Sequence, residues 1–223
     1  MRKNTCFQKK SILLILLMSA LSMTITGCVS LNKKYIAQQQ YGLSVPAAKY
    51  TGHKTDKVLE IYYPEMSSQF SGSNFVYRTD ALKYTSDYYN MFFVSPYEQI
   101  NKNELKYLAS SQIFKYTSNN SYPLQPDYIL KTYVSELYAD YRDANAPKAV
   151  MTIQFVLLDA KAPTSTIIFN KTFTKNIALT QKSSDALVFA WSNELESILR
   201  QVTYTIENKI SSETTKHKPG LSH

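Results

Sequence analysis

The C-terminal half of the chain constrains its fold most. Three long runs alternate with period two, and one helical stripe follows them. In "DYILKTYVSELYADYRD", 127–143, Leu130 and Val134 share one parity while Leu137, Ala139 and Tyr141 share the other. The apolar phase slips by one near Ser135-Glu136, which predicts a β-bulge there. "KAVMTIQFVLLDA", 148–160, sets Met151, Ile153, Phe155 and Leu157 on one face. Val150, Val156 and Leu158 soften its other face, as expected of a central strand. "TIIFNKTFTKNIAL", 166–179, predicts a third strand with Ile167, Phe169 and Phe173 on one face. Leu187, Trp191, Leu195, Ile198, Val202 and Ile206 then recur at steps of three or four. That stripe predicts a helix over about 184–208, long enough at about 35 Å to cross a sheet.

Earlier segments are shorter. "QYGLSVP", 40–46, reads as a strand ended by Pro46, and "KVLEIYYP", 57–64, as a strand in which Leu59, Ile61 and Tyr63 alternate against Val58, Glu60 and Tyr62. "NFVYRTDA", 74–81, and "KYTSDYYNMFFV", 83–94, read as an aromatic strand pair. Ser95-Pro96-Tyr97-Glu98 has the form of a capping box with Pro at the first helical position. A helix is expected over about 96–110, with Ile100, Leu105 and Leu108 inward, and "QIFKYTS", 112–118, returns as a strand. The fold class is therefore α+β: a single domain with a mainly antiparallel sheet packed by two helices.

The N-terminus is of another kind. Arg2, Lys3, Lys9 and Lys10 precede an apolar core from Ile12 to Leu21. About ten apolar residues fall short of the about 20 that a spanning helix needs. A positive segment, a short apolar core and small residues describe a secretory signal peptide, 1–27. Ile25-Thr26-Gly27-Cys28 resembles a bacterial lipobox. Cleavage between Gly27 and Cys28 would make Cys28 the first mature residue, carrying a thioether-linked diacylglycerol and an N-acyl chain. Three acyl chains exceed the two signals that stable anchoring needs. Cys6 would be lost with the signal, so no disulfide within the mature chain is available. Val29, in place of Asp, favours an outer-membrane lipoprotein facing the periplasm over an inner-membrane one. Residues 28–38 read as a lipidated tether, 39–210 as the folded domain and 211–223 as a disordered polar tail.

Losing the four N-terminal cations takes the formal charge from +8 to +4, an ordinary surface and no nucleic-acid footprint. Five Gly argue against Gly-rich phosphate loops, and no Gly-Lys-Ser/Thr loop or G-x-S-x-G elbow occurs. The three His, at 53, 217 and 223, stand away from the strands, so no catalytic or metal site and no cofactor is expected. Glu136, Asp140 and Asp143 read as solvated or ion-paired groups.

The 18 Tyr are the unusual count. Tyr84, Tyr88, Tyr89, Phe92 and Phe93 form a run with two readings: strand core and edge, or a docking surface, since interface cores are rich in Tyr and Phe. Tyr77 and Arg78 stand just before it, and Arg78 could pair with Asp80 or Asp140.

The order of these segments resembles a known family. A lipobox, "QYGLSVP", "NFVYRTDALKYTSDYYNMFFVSPYEQI", "LKYLASSQIF", "PDYILKTYVSELYADYRD" and "PKAVMTIQFVLLD" together look like the ABC-type transport auxiliary lipoproteins, over about 40–207. Tyr77-Arg78 match the family's Tyr-Arg. The Arg that often precedes the aromatic and Pro in the family is missing from "NMFFVSP", so no role for it is carried over. The resemblance implies a non-enzymatic, lipid-anchored periplasmic component of an MCE-type lipid transport system. It would dock on an MCE-domain partner and help bridge inner and outer membranes, while a separate ATPase hydrolyses ATP. Tyr77, Arg78, Tyr84, Tyr88, Tyr89, Phe92 and Phe93 are the candidate partner contacts, and association into a homo-oligomer is left open. The alternative is an outer-membrane lipoprotein that activates a peptidoglycan synthase or another envelope-assembly partner. A tether of about ten residues, at most about 35 Å extended, suits that reading less well.

Overall fold

The computed structural model describes residues 36–49, 54–119, 125–164 and 166–216. The signal segment 1–27 with Gly27, Cys28, most of the 28–38 tether, His53, His217 and His223 lie outside the described residues.

Among the described residues, nine strands and two helices make a single α+β domain. The strands are β1 (Gln39–Tyr41), β2 (Val58–Ile61), β3 (Glu65–Met66), β4 (Asn74–Arg78), β5 (Tyr84–Phe92), β6 (Tyr116–Ser118), β7 (Tyr128–Asp140), β8 (Lys148–Asp159) and β9 (Thr166–Ala178). The helices are α1 (Pro96–Ser111) and α2 (Ser184–Lys216). The antiparallel block β7–β8–β9 is the frame, with β8 central as its two apolar faces require. β4–β5 is also antiparallel. The sheet is nonetheless mixed. β2, β3 and β4 join the free edge of β7 one after another, all parallel to it, at Tyr128–Leu130, Tyr133–Val134 and Ala139–Asp140. β6 extends β2 and β1 extends β5, again in parallel.

Side-chain parity follows the expected runs. Leu130, Val134, Leu137 and Ala139 of β7 pair with Leu157, Ile153, Met151 and Ala149 of β8 on one face. The register shifts between Val134 and Glu136, where the apolar phase slips. The extra residue, Ser135, keeps Leu137 on the core face after Val134. β9 holds a second bulge that parity alone does not suggest. Phe169 pairs with Leu157, but Ile167 pairs with Leu158, so the two are not on one face as expected. Ile168 is the extra residue, and it turns Ile167 outward, where it is exposed.

Both helices pack on the core face. The whole predicted stripe of α2 is fully buried, and Ile210 continues it one step beyond Ile206. That added anchor accompanies a helix reaching Lys216, past the expected end near Asn208 and into the segment read as a disordered tail. On α1, Ile100 and Leu108 are buried but Leu105 is only partly so. The inward stripe runs through Glu104 instead, four residues from each of them.

The expected capping box does not form. Ser95 makes no side-chain cap bond, and its buried Oγ has no partner within the protein. The Ser95 carbonyl accepts the Gln99 N–H at 3.2 Å as the first bond of the helix, while the Glu98 carboxylate accepts from the Tyr97 hydroxyl at 3.5 Å. The helix thus starts without the reciprocal pair. It ends at Gln112, in the left-handed region at φ 56°.

The "QYGLSVP" segment is only partly strand. After β1 it lies along α1 and uses side chains in place of a neighbouring strand. Gln99 Oε1 accepts the Leu43 N–H at 2.5 Å, and Asn103 Oδ1 accepts the Val45 N–H at 3.0 Å. Asn103 Nδ2 and Lys106 Nζ donate to the Leu43 and Val45 carbonyls, and Ser110 Oγ accepts the Ala48 N–H. Positions 99, 103, 106 and 110 fall on one helix face. Polar residues can therefore be buried there, because they satisfy a backbone that has no strand beside it.

Candidate functional site

The aromatic run divides because β5 bulges. Its register with β4 jumps from Ser86–Val76 to Met91–Asn74, leaving Asp87–Asn90 out of step. The Asp87 carboxylate gathers this loop. It accepts from the Tyr77 hydroxyl at 2.5 Å, the Tyr89 N–H at 2.7 Å, the Asn90 N–H at 3.1 Å and Asn90 Nδ2 at 2.8 Å. Asn74 Nδ2 donates to the Asp87 carbonyl at 2.6 Å. Partial burial works against the charge, but these donors outweigh it and hold the Asp87 carboxyl below its usual range. Burial, and then Asp87 itself, drives the Tyr77 phenol far upward, so Tyr77 stays a neutral donor.

The seven candidate partner contacts consequently occupy four places. Phe92 is core: it is 3 % exposed, with its ring 4.8 Å from Phe75 and 5.5 Å from Trp191. Tyr77 lies on the helix side, its ring 5.0 Å from Tyr141. Arg78 and Tyr84 lie on the opposite face. The Arg78 guanidinium stands 5.5 Å over the Tyr84 ring, and Tyr84 meets Phe70 and Tyr138 edge-on. Arg78 Nη2 donates to the Ala81 carbonyl at 2.8 Å, while its buried Nε has no partner within the protein. It forms an ion pair with neither Asp80 nor Asp140: the Asp80 carboxylate accepts the Ala81 N–H, and Arg142 takes the Asp140 carboxylate at 2.6 Å, with the Arg78 charge a lesser help in holding that carboxyl down. Tyr88, Tyr89 and Phe93 face outward.

Those outward rings belong to a larger apolar edge. Tyr88 is 69 % and Phe93 70 % exposed, and the Tyr88 and Tyr89 rings meet edge-on at 5.3 Å. Phe93 and Val94 line a groove of about 390 Å³ with Gly42 and Ser44. A second groove, of about 500 Å³, shares Gly42 and Ser44 and is walled by Val188 and Phe189. Phe189 is also 70 % exposed. It and Asp87 escape the sequence reading. Phe189 could have been found as the large apolar residue outside the α2 stripe. Asp87 has no such signal, because its role needs the bulge. A third cavity, of about 660 Å³, lies between Pro46–Lys49 and α2, with Tyr107, Arg200 and Tyr204 among its walls.

The acids are dispersed. Glu136 accepts from the Thr152 hydroxyl at 2.6 Å, Asp140 holds Arg142, and Asp143 accepts the Asn145 N–H. Glu104 and Glu194 are fully buried under the helices. Burial pushes each carboxyl up to about 8 against one compensating bond, from Thr132 Oγ1 at 2.8 Å and from the Ile177 N–H at 2.9 Å. They stand in separate places, one over β7 and one at the β9 edge. Among the described residues no group of three or more His, Cys, Asp or Glu gathers that could hold a metal. No described helix is long and apolar enough to cross a membrane.

No family model and no curated protein matches the chain. Solved structures do. Protein XCC0632 from Xanthomonas campestris, with the family model DUF330, superposes with a TM-score of 0.71 at 12% identity, over 79% of this chain and 99% of that one. An uncharacterized protein gives 0.61 at 14% identity, over 76% and 99%. The hypothetical protein CT253 from Chlamydia trachomatis gives 0.54 at 9% identity, over 71% and 99%. At such identities the likeness is one of fold: the α+β domain with its mixed sheet is a shape that these chains share.

Proposed function

We propose that the chain is a lipid-anchored auxiliary component of an MCE-associated ABC-type lipid transport system in the bacterial cell envelope. Its role is docking and bridging without catalysis of its own. The anchor is the acylated Cys28, and the side of residence is the periplasmic face of the outer membrane. The observation that carries the reading is the lipobox ending in Cys28, followed over about 40–207 by segments in the order of that family. The exposed rings of Tyr88, Tyr89, Phe93 and Phe189 give the domain a contact surface. The lipobox and the order of the sequence segments supply the family side of the argument. An MCE-domain protein is the partner they imply.

The test is crosslinking in intact cells, followed by purification of the acylated protein from detergent-solubilised envelopes. An MCE-domain protein crosslinked to the chain is the expected product. Its absence under conditions that capture other envelope complexes would refute the reading.

A further inference from the structure

The exposed aromatic edge lies where the chain enters the domain. Gln38 donates through Nε2 to the Tyr88 carbonyl at 3.0 Å, and Gln39, Gln40 and Tyr41 pair with Asn90, Met91 and Phe92. The Phe93 N–H then donates to the Tyr41 carbonyl at 2.8 Å. Gln38 to Tyr41 are thus fastened along β5 from the bulge at Tyr88 and Asn90 to Phe92. An acyl group at Cys28 is nine residues before Ala37, a span of at most about 30 Å even when fully extended. Lys33 and Lys34 stand within that span.

We propose that this edge, Tyr88, Tyr89, Phe93 and Phe189, dips into the interfacial layer of the same bilayer that holds the acyl chains. The domain then lies against the membrane through side chains as well as through its tether. Three observations favour a bilayer as the occupant. The tether is too short to carry this edge far from the lipid surface. The exposed residues are Tyr and Phe, whose amphipathic or apolar rings suit the headgroup boundary. The acid nearest the tyrosines, Asp87, is turned inward and taken up by Tyr77 and Asn90. In the first groove Glu98 is accompanied by Lys102 and Lys106, and in the second Asp185 is the one acid among the lining residues. A protein partner on this edge is the competing outcome. The proposal rests on the reading of Cys28 as acylated, and its test reads the two separately.

Full-length acylated protein is reconstituted on vesicles of phosphatidylethanolamine and phosphatidylglycerol, with and without brominated acyl chains. Phe93→Trp and Phe189→Trp report on the edge. Tyr204→Trp, about 22 Å along α2 from position 189, is the control. Buried Trp191 is the constant background in all of them. The added indoles at 93 and 189 are expected to shift to the blue and lose emission to bromine, while that at 204 keeps both. Mass spectrometry of the same preparations reads acylation at Cys28. Acylated, vesicle-bound protein whose indoles at 93 and 189 behave like that at 204 overturns the proposal and leaves a protein as the occupant. Protein without acyl mass at Cys28 overturns the anchor reading, and the proposal falls with it.

Discussion

Glu104 offers the sharpest perturbation. Its side chain is fully buried between α1 and β7, and Oε2 has no partner within the protein. Desolvation raises its carboxyl from 4.5 to about 8, only partly relieved by the Thr132 hydroxyl. A raised acid is protonated in the fold at pH values where the unfolded chain has already lost that proton. Its contribution is therefore intact below about 4.5 and is lost as pH rises towards 8. Each factor of ten in proton concentration is worth about 1.4 kcal/mol, so going from about pH 5 to about pH 7.5 should cost about 3 kcal/mol through this one group. Glu104→Gln keeps the shape and removes the proton. Urea unfolding followed by Trp191 emission reads both proteins, since Trp191 is the sole Trp and is fully buried. Wild type should lose stability across that interval much more steeply than Glu104→Gln. Glu194 leaves a residual slope in both, because burial raises its carboxyl in the same direction. Asp87 and Asp140, whose carboxyls are lowered, act only at more acid pH and with the opposite sign. Equal slopes for the two proteins would refute the account of Glu104 as a buried, poorly compensated acid.

Other substitutions test the local arguments. Ser95→Ala should leave the urea midpoint almost unchanged, within about 0.5 kcal/mol, where a working cap would lose about 1 kcal/mol. Gln112→Gly should raise thermal stability by about 1 kcal/mol, since φ 56° costs a side chain more than glycine. Asp87→Ala strands the donors of Tyr77, Tyr89 and Asn90 and should cost about 2–3 kcal/mol in urea unfolding. Phe92→Ala opens a cavity beside Phe75 and Trp191 and should cost about 3–5 kcal/mol. Tyr88→Ala should shift stability by no more than about 0.5 kcal/mol, and a larger loss would place Tyr88 in the core after all.

The sequence by itself determined the long elements. β7, β8 and α2 follow from periodicities of two and of three to four, which are properties of a single segment. The bulge at Ser135 was legible for the same reason: an apolar phase that slips within one strand has no other economical explanation. The signal segment and the lipobox are likewise sequence features, and they lie outside the described residues. Only the tertiary structure decided how the elements join. The parallel docking of β2, β3 and β4 on one edge of β7 depends on partners far apart in the chain. The bulge at Ile168 shows only against the register of β8, and so Ile167 faces out although its parity pointed in. The aromatic run was visible as composition, but its division was not. The Asp87 loop takes Tyr88 and Tyr89 out of the ladder, while Phe75 and Trp191 draw Phe92 inward. Burial on a strand is set by what packs across from it, and that neighbour comes from elsewhere in the chain.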